Sequence, residues 1–138
     1  MSALNGLWVS SDPNPWQYLY RYPKACENVT FIDVDYVALM QKKRDVVRST
    51  AELNNMLTNV AFLESGNLLL QSDQYLQVGC DLRQLSELSG VLASAVDIEK
   101  CLILCTAEVS ITYMNVEAAD ALVKWASNLP DGMCSTVD

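Results

Sequence analysis

The chain has 138 residues and a net charge of −8, with 51% hydrophobic and 19% charged residues. That length suits one domain and is too short for two, and the composition excludes disorder and predicts a buried core. An acidic surface with no lysine or arginine stripe repels phosphate backbones, so nucleic-acid binding by this chain alone is disfavoured.

Histidine is absent. Zinc sites, histidine acid/base chemistry and Ser-His-Asp triads are therefore disfavoured, and no metal site is expected. The five cysteines (Cys26, Cys80, Cys101, Cys105, Cys134) are odd in number and form no CxxC pair, which fits reduced thiols and a cytoplasmic protein. No apolar run reaches the ~18 residues of a membrane span, and the first residues carry no signal-peptide pattern. The sequon Asn28-Val29-Thr30 reads as a chance match.

The first 25 residues read as irregular, with a turn at Asp12-Pro13-Asn14-Pro15 and a short helix suggested by the spacing of Trp16, Leu19 and Tyr20. Val29 to Asp35 is rich in β-branched residues and predicts a strand ending in acids. Val37 to Arg48 predicts a helix with Val37, Met40, Arg44 and Val47 on one side; Lys42-Lys43-Arg44 reads as its solvated face. Residues 49–73 are weakly patterned, with a turn at Gly66-Asn67. A second strand runs from Tyr75 to Cys80. Asp81 follows as a candidate N-cap, with Gln84 as its capping-box partner. Leu85, Leu88, Leu92 and Val96 give the next helix a buried stripe. Cys101 to Cys105 is apolar on both faces, as a central parallel strand should be. Asn115 caps a last helix with Leu122, Trp125, Ala126 and Leu129 on one face, stopped by Pro130 and Gly132.

Three strand–helix units in succession predict an α/β fold, a Rossmann-like parallel sheet with helices on both faces. Three strands are few for such a sheet, so residues 1–138 read as a single, partial domain that a partner chain could complete. Ligands bind at the carboxyl ends of such strands. Every strand here ends with an acid: Asp33 and Asp35, then Asp81, then Glu108. Each also has a plain structural reading, as a solvated strand end, a helix cap or a loop acid. Asp35, nearest its tip, suits a pair of ribose hydroxyls, because a carboxylate accepts two O–H donors. Asp81-Leu82 suits a base, with one polar edge contact and apolar packing. Tyr113 reads equally as a pocket wall or a core residue.

Three separated segments carry a resemblance. They are Phe31-Ile32-Asp33-Val34-Asp35-Tyr36 with Lys42-Lys43-Arg44, Gly79-Cys80-Asp81-Leu82-Arg83, and Ala107-Glu108-Val109-Ser110-Ile111-Thr112-Tyr113-Met114. In that order they resemble the leucine carboxyl methyltransferase family, over roughly residues 12 to 130. The stretch from Ala107 to Trp125 is most similar to its tRNA wybutosine-synthesising branch. The resemblance implies a methyltransferase fold that uses S-adenosylmethionine (SAM). Asp35 would bind the cofactor ribose, Asp81 and Leu82 the adenine, and Glu108 would lie near the methionine part. It also implies methyl transfer to a carboxylate, on a modified tRNA or, in an alternative reading, on a small metabolite. A carboxylate is already ionised at pH 7 and needs no general base, so no catalytic residue is assigned. The family's Gly-x-Gly turn is replaced by Leu7-Trp8-Val9-Ser10-Ser11. Glycines let the backbone bend tightly against a cofactor. Their loss, together with missing upstream and downstream parts of the domain, predicts weak or no cofactor binding. A catalytically inactive remnant or binding partner is the other reading.

Overall fold

Alternation along Val29–Asp35 sorts its side chains onto two faces. Ile32 and Val34 are buried on one, Phe31 and Asp33 on the other. The strand therefore needs a helical layer on each side. A computed structural model describes residues 5–10, 15–108, 110–129 and 132–137 and supplies both layers.

The elements in chain order are β1 (Asn5–Ser10), α1 (Pro15–Arg21), β2 (Val29–Asp35), α2 (Val37–Ser49), α3 (Ala51–Asn54), β3 (Ala61–Phe62), β4 (Leu68–Gln71), β5 (Tyr75–Gly79), α4 (Leu85–Ala95), β6 (Cys101–Glu108), α5 (Val116–Ser127) and β7 (Gly132–Val137). Short 3₁₀ turns cover Ile98–Lys100 and Ser110–Tyr113. The strands form one seven-stranded sheet in the order β3-β4-β5-β2-β1-β6-β7. The five strands from β5 to β7 in that order are parallel, and β3 and β4 add an antiparallel hairpin at one edge. The α/β, Rossmann-like architecture with helices on both faces is thus present.

One core cluster joins Ile32, Val34, Val78 and Ile103 to Leu88 and Leu92 of α4 and Ala126 of α5. The other joins Phe31, Leu70 and Tyr75 to Val47 of α2 and to Leu57, with Trp16 of α1 packed against it. The buried side of α2 is Met40, Arg44 and Val47, as its spacing predicts, whereas Val37 remains exposed. Asn115 caps α5 by accepting the Ala118 N–H at 2.8 Å. Gly66 turns the hairpin with φ of +85°, the left-handed region that favours glycine. Helix α5 ends at Ser127, and Pro130, offered as its stop, lies outside the described residues.

Several expectations need correction. The first 25 residues are not irregular: Asn5–Ser10 forms β1, between β2 and β6. Three strands understate a sheet of seven. The weakly patterned 49–73 segment holds α3, β3 and β4. Asp81 does not cap α4, whose N-cap position is Gln84 and has no side-chain cap bond. Lys42-Lys43-Arg44 is more than a solvated face. Arg44 is buried and donates to the Leu63 carbonyl at 2.9 Å, and Lys43 reaches a buried carboxylate.

One transverse row of the parallel strands is polar across the sheet. The register aligns Gln77 with Asp33, Asp33 with Ser10, Ser10 with Thr106, and Thr106 with Ser135.

Candidate cofactor-binding rim

The chain runs from β1 outward through β2 to β5 on one side, then returns to place β6 on the other side of β1. The direction of winding therefore reverses between β1 and β6. In open α/β sheets that reversal leaves a crevice at the carboxyl ends of the strands, where ligands bind. β5, β2, β1 and β6 are parallel, so their carboxyl ends share one rim. Asp35 ends β2 and Glu108 ends β6. Their strands are separated by β1, two strand spacings or about 10 Å. Asp35 pairs in register with Gly79, so Asp81 stands just past the neighbouring tip. The four residues selected from the sequence, Asp35, Asp81, Leu82 and Glu108, are thus on one rim, with Asp35 and Glu108 flanking the crevice.

The local chemistry differs among them. Asp35 is half-buried; its Oδ1 accepts the Tyr36 N–H at 2.8 Å, which orients the carboxylate at the strand tip. Its own carbonyl accepts the Cys80 N–H at 2.8 Å, fixing the two strand ends together. At Gly79 the α2 helix begins so close that a Cβ would stand 3.0 Å from the Val37 Cα. That close approach sets the direction in which the chain leaves Asp35. Asn67 in the hairpin turn ties the same strand end down, donating to the Gly79 carbonyl at 2.9 Å and to Glu87 at 2.6 Å.

Asp81 is held by Arg83. The Arg83 backbone N–H donates to Oδ1 at 2.9 Å, and its guanidinium donates to Oδ2 at 2.6 Å and to Oδ1 at 3.0 Å. These bonds lower the Asp81 pKa to about 2, so the carboxylate is a fixed anion. Leu82 is half-buried and packs on the core beneath α4. Tyr113 is 85% exposed, which rules out the core reading of it.

Asp33, read as a solvated strand-end acid, is buried instead. Its Oδ2 accepts the Tyr75 hydroxyl at 2.8 Å and the Lys43 ammonium at 3.1 Å. Burial raises its pKa, and Lys43 offsets this only in part. Burial and the Asp33 charge together push the Tyr75 hydroxyl well above its ordinary value. Gln77, fully buried on β5, donates to the Tyr75 hydroxyl oxygen at 3.1 Å. Sequence reasoning passed over Gln77, Arg83 and Asn67. Gln77 alone left a usable signal: a polar residue between Leu76 and Val78 in an otherwise apolar strand.

The segment compared with a glycine turn continues as strand through Ser10, and residues 11–14, where the chain leaves β1, lie outside the described residues. Among the described residues no helix is long and apolar enough to cross a membrane, and no group of three or more acids and thiols gathers as a metal site.

Residues 17–127 match the family model for leucine carboxyl methyltransferase. Over 124 residues the chain is 47% identical to the tRNA wybutosine-synthesizing protein 4 of Gibberella zeae, covering 88% of this chain and 12% of that protein. The protein of the same name from Aspergillus oryzae is 41% identical over 119 residues, covering 86% of this chain and 12% of its own length. That of Schizosaccharomyces pombe is 27% identical over 130 residues, covering 94% and 19%. The chain therefore spans less than a fifth of these relatives.

Proposed function

Because the chain belongs to the leucine carboxyl methyltransferase family, we propose that it supplies the cofactor-binding part of a SAM-dependent carboxyl methyltransferase, of the type that acts in tRNA wybutosine synthesis. The observation that carries this reading is the shared rim. Asp35 and Glu108 flank the reversal crevice, and Asp81 stands on the strand next to Asp35. These residues fit the group because their carboxylates are acceptors. Asp35 presents a carboxylate to paired ribose hydroxyls, and Asp81 presents a fixed anion to an amino edge while Leu82 offers apolar surface. By the family resemblance Glu108, at the end of β6, would lie near the methionine part. When bound, SAM supplies an electrophilic methyl on a sulfonium. The chain's contribution is to position and to exclude water, which suffices for an acceptor that is already an anion. The net charge of −8 repels RNA phosphates, so contacts to a tRNA acceptor would come from other parts of a longer protein. Such a role fits a cytoplasmic protein.

The test is calorimetric titration of the chain with SAM. Against the weak or absent binding that the replaced glycine turn predicts, a dissociation constant on the order of micromolar, abolished in Asp35→Ala, is the result that supports this reading. Silence at millimolar SAM would overturn the reading for this chain. It would favour the second reading, an inactive remnant or partner-binding role. One observation favours that second reading: Arg83 already occupies both oxygens of Asp81.

A further inference from the structure

Away from the rim, between α1, α2 and the sheet, lies a cleft of about 250 Å³. Its walls include Trp16, Val47 and Leu53, and Asp33 and Gln77 form its polar floor. Both floor residues are at least 99% buried. Each leaves one acceptor, Asp33 Oδ1 and Gln77 Oε1, with no hydrogen-bond donor among the described residues. Buried acceptors without a donor are uncommon, because each costs about 1–3 kcal/mol. The remaining floor groups are already engaged: the Gln77 amide donates to Tyr75, Tyr75 donates to Asp33, and Lys43 pairs with Asp33. What the cleft lacks is therefore donors only.

The register narrows the class of donor. Asp33 and Gln77 are direct partners on neighbouring parallel strands, so their side chains leave one face of the sheet from backbones about 4.8 Å apart, and a group with two N–H bonds suits two such acceptors. Charge narrows it further. Asp33 is already paired with Lys43, and Lys42 also lines the cleft, so a cationic group gains little there. The walls are largely apolar and aromatic, with Trp16 set edge-on to Tyr75 at 5.0 Å between ring centroids. We propose that this cleft is a second binding site, for a neutral primary amine carried on an aromatic ring, which donates one hydrogen to Asp33 Oδ1 and the other to Gln77 Oε1. Asp33 is two residues from Asp35 on the same strand, but none of Asp35, Asp81, Leu82 and Glu108 lines the cleft, and the proposal does not depend on SAM binding.

Aniline is the probe, with toluene and N,N-dimethylaniline as matched rings lacking an N–H. Titrations of the isotope-labelled chain followed by amide and indole resonances should shift Trp16, Val47 and the Gln77 side-chain amide. Aniline should bind at least about tenfold more tightly than either control, the worth of one hydrogen bond or more. Gln77→Leu should reduce that preference, leaving the one bond to Asp33 Oδ1, and leave toluene affinity unchanged. If that variant fails to fold, the comparison of the three rings on the unsubstituted chain still decides. Equal affinity for toluene would overturn the proposal, reducing the cleft to an apolar cavity. So would no shift at Trp16 at millimolar aniline, as expected if ordered water satisfies both oxygens. Shifts confined to Asp35 and Asp81 would overturn it as well. A chain that fails to bind SAM but passes this test would separate the two sites.

Discussion

Two acids of one strand, separated by Val34, have opposite fates: Asp35 stands half-buried at the strand tip, whereas Asp33 is buried. For Asp33 the cost of burial outweighs the attraction of Lys43, so its pKa is raised. Between its ordinary value and the raised one, the folded chain holds a proton that the unfolded chain releases. Stability from this group therefore increases as pH falls through the folded pKa, and levels off below the unfolded one. Asp33→Asn removes the buried charge and offers an amide donor close to Gln77 Oε1. Denaturant unfolding at pH 7 should show stability unchanged or raised by up to about 1 kcal/mol, with the gain shrinking in acid. A loss of about 3–5 kcal/mol would mean instead that the pair with Lys43 is net stabilising. The acids themselves were legible in the sequence, since a β-branched run ending in aspartates predicts a strand tip. The burial of Asp33 was not, because its partner Tyr75 arrives on a strand 42 residues later.

The elements that could be read were those with a long period or a clear boundary. Helix α2 declared its buried side through Met40, Arg44 and Val47, and α5 declared its start through Asn115. Strand β3, with two residues, is too short to show alternation, and β4 reads as a run of leucines in a polar stretch. Strand β1 is defined by its pairing with β2 and β6, which come later in the chain. The junction of β5 with α2 has a sharp steric requirement. In Gly79→Ala the new methyl would meet the Val37 Cα and Cγ2, both at 3.0 Å, and a backbone atom cannot swing aside as a side-chain tip can. A loss of about 1–3 kcal/mol in thermal or denaturant unfolding is expected, together with shifted amide resonances at Tyr36 and Val37. If stability changes by less than about 0.5 kcal/mol, the helix slides freely and does not fix the direction of Asp35.

At the scale of the whole molecule, the two core clusters bury four thiols, Cys80, Cys101 and Cys105 in one and Cys26 in the other. Cys26, Cys80, Cys101 and Cys105 are buried, and burial raises the pKa of Cys26, Cys80 and Cys101. Site-resolved mass spectrometry after a brief pulse of thiol reagent at pH 8 should find these four modified at least about tenfold more slowly than in urea. Rapid labelling of Cys101 or Cys105 would place β6 outside a closed sheet. The polar row from Gln77 through Asp33 and Ser10 to Thr106 and Ser135 has a consequence for how the sheet assembles. Parallel strands with apolar faces could slide past one another, because one valine or isoleucine fits a neighbour much as the next does. A slip of β2 by one residue would turn Asp33 toward the apolar cluster of Leu88 and Leu92. The row thus works as an address, rejecting misaligned pairings that hydrophobic contact alone would accept.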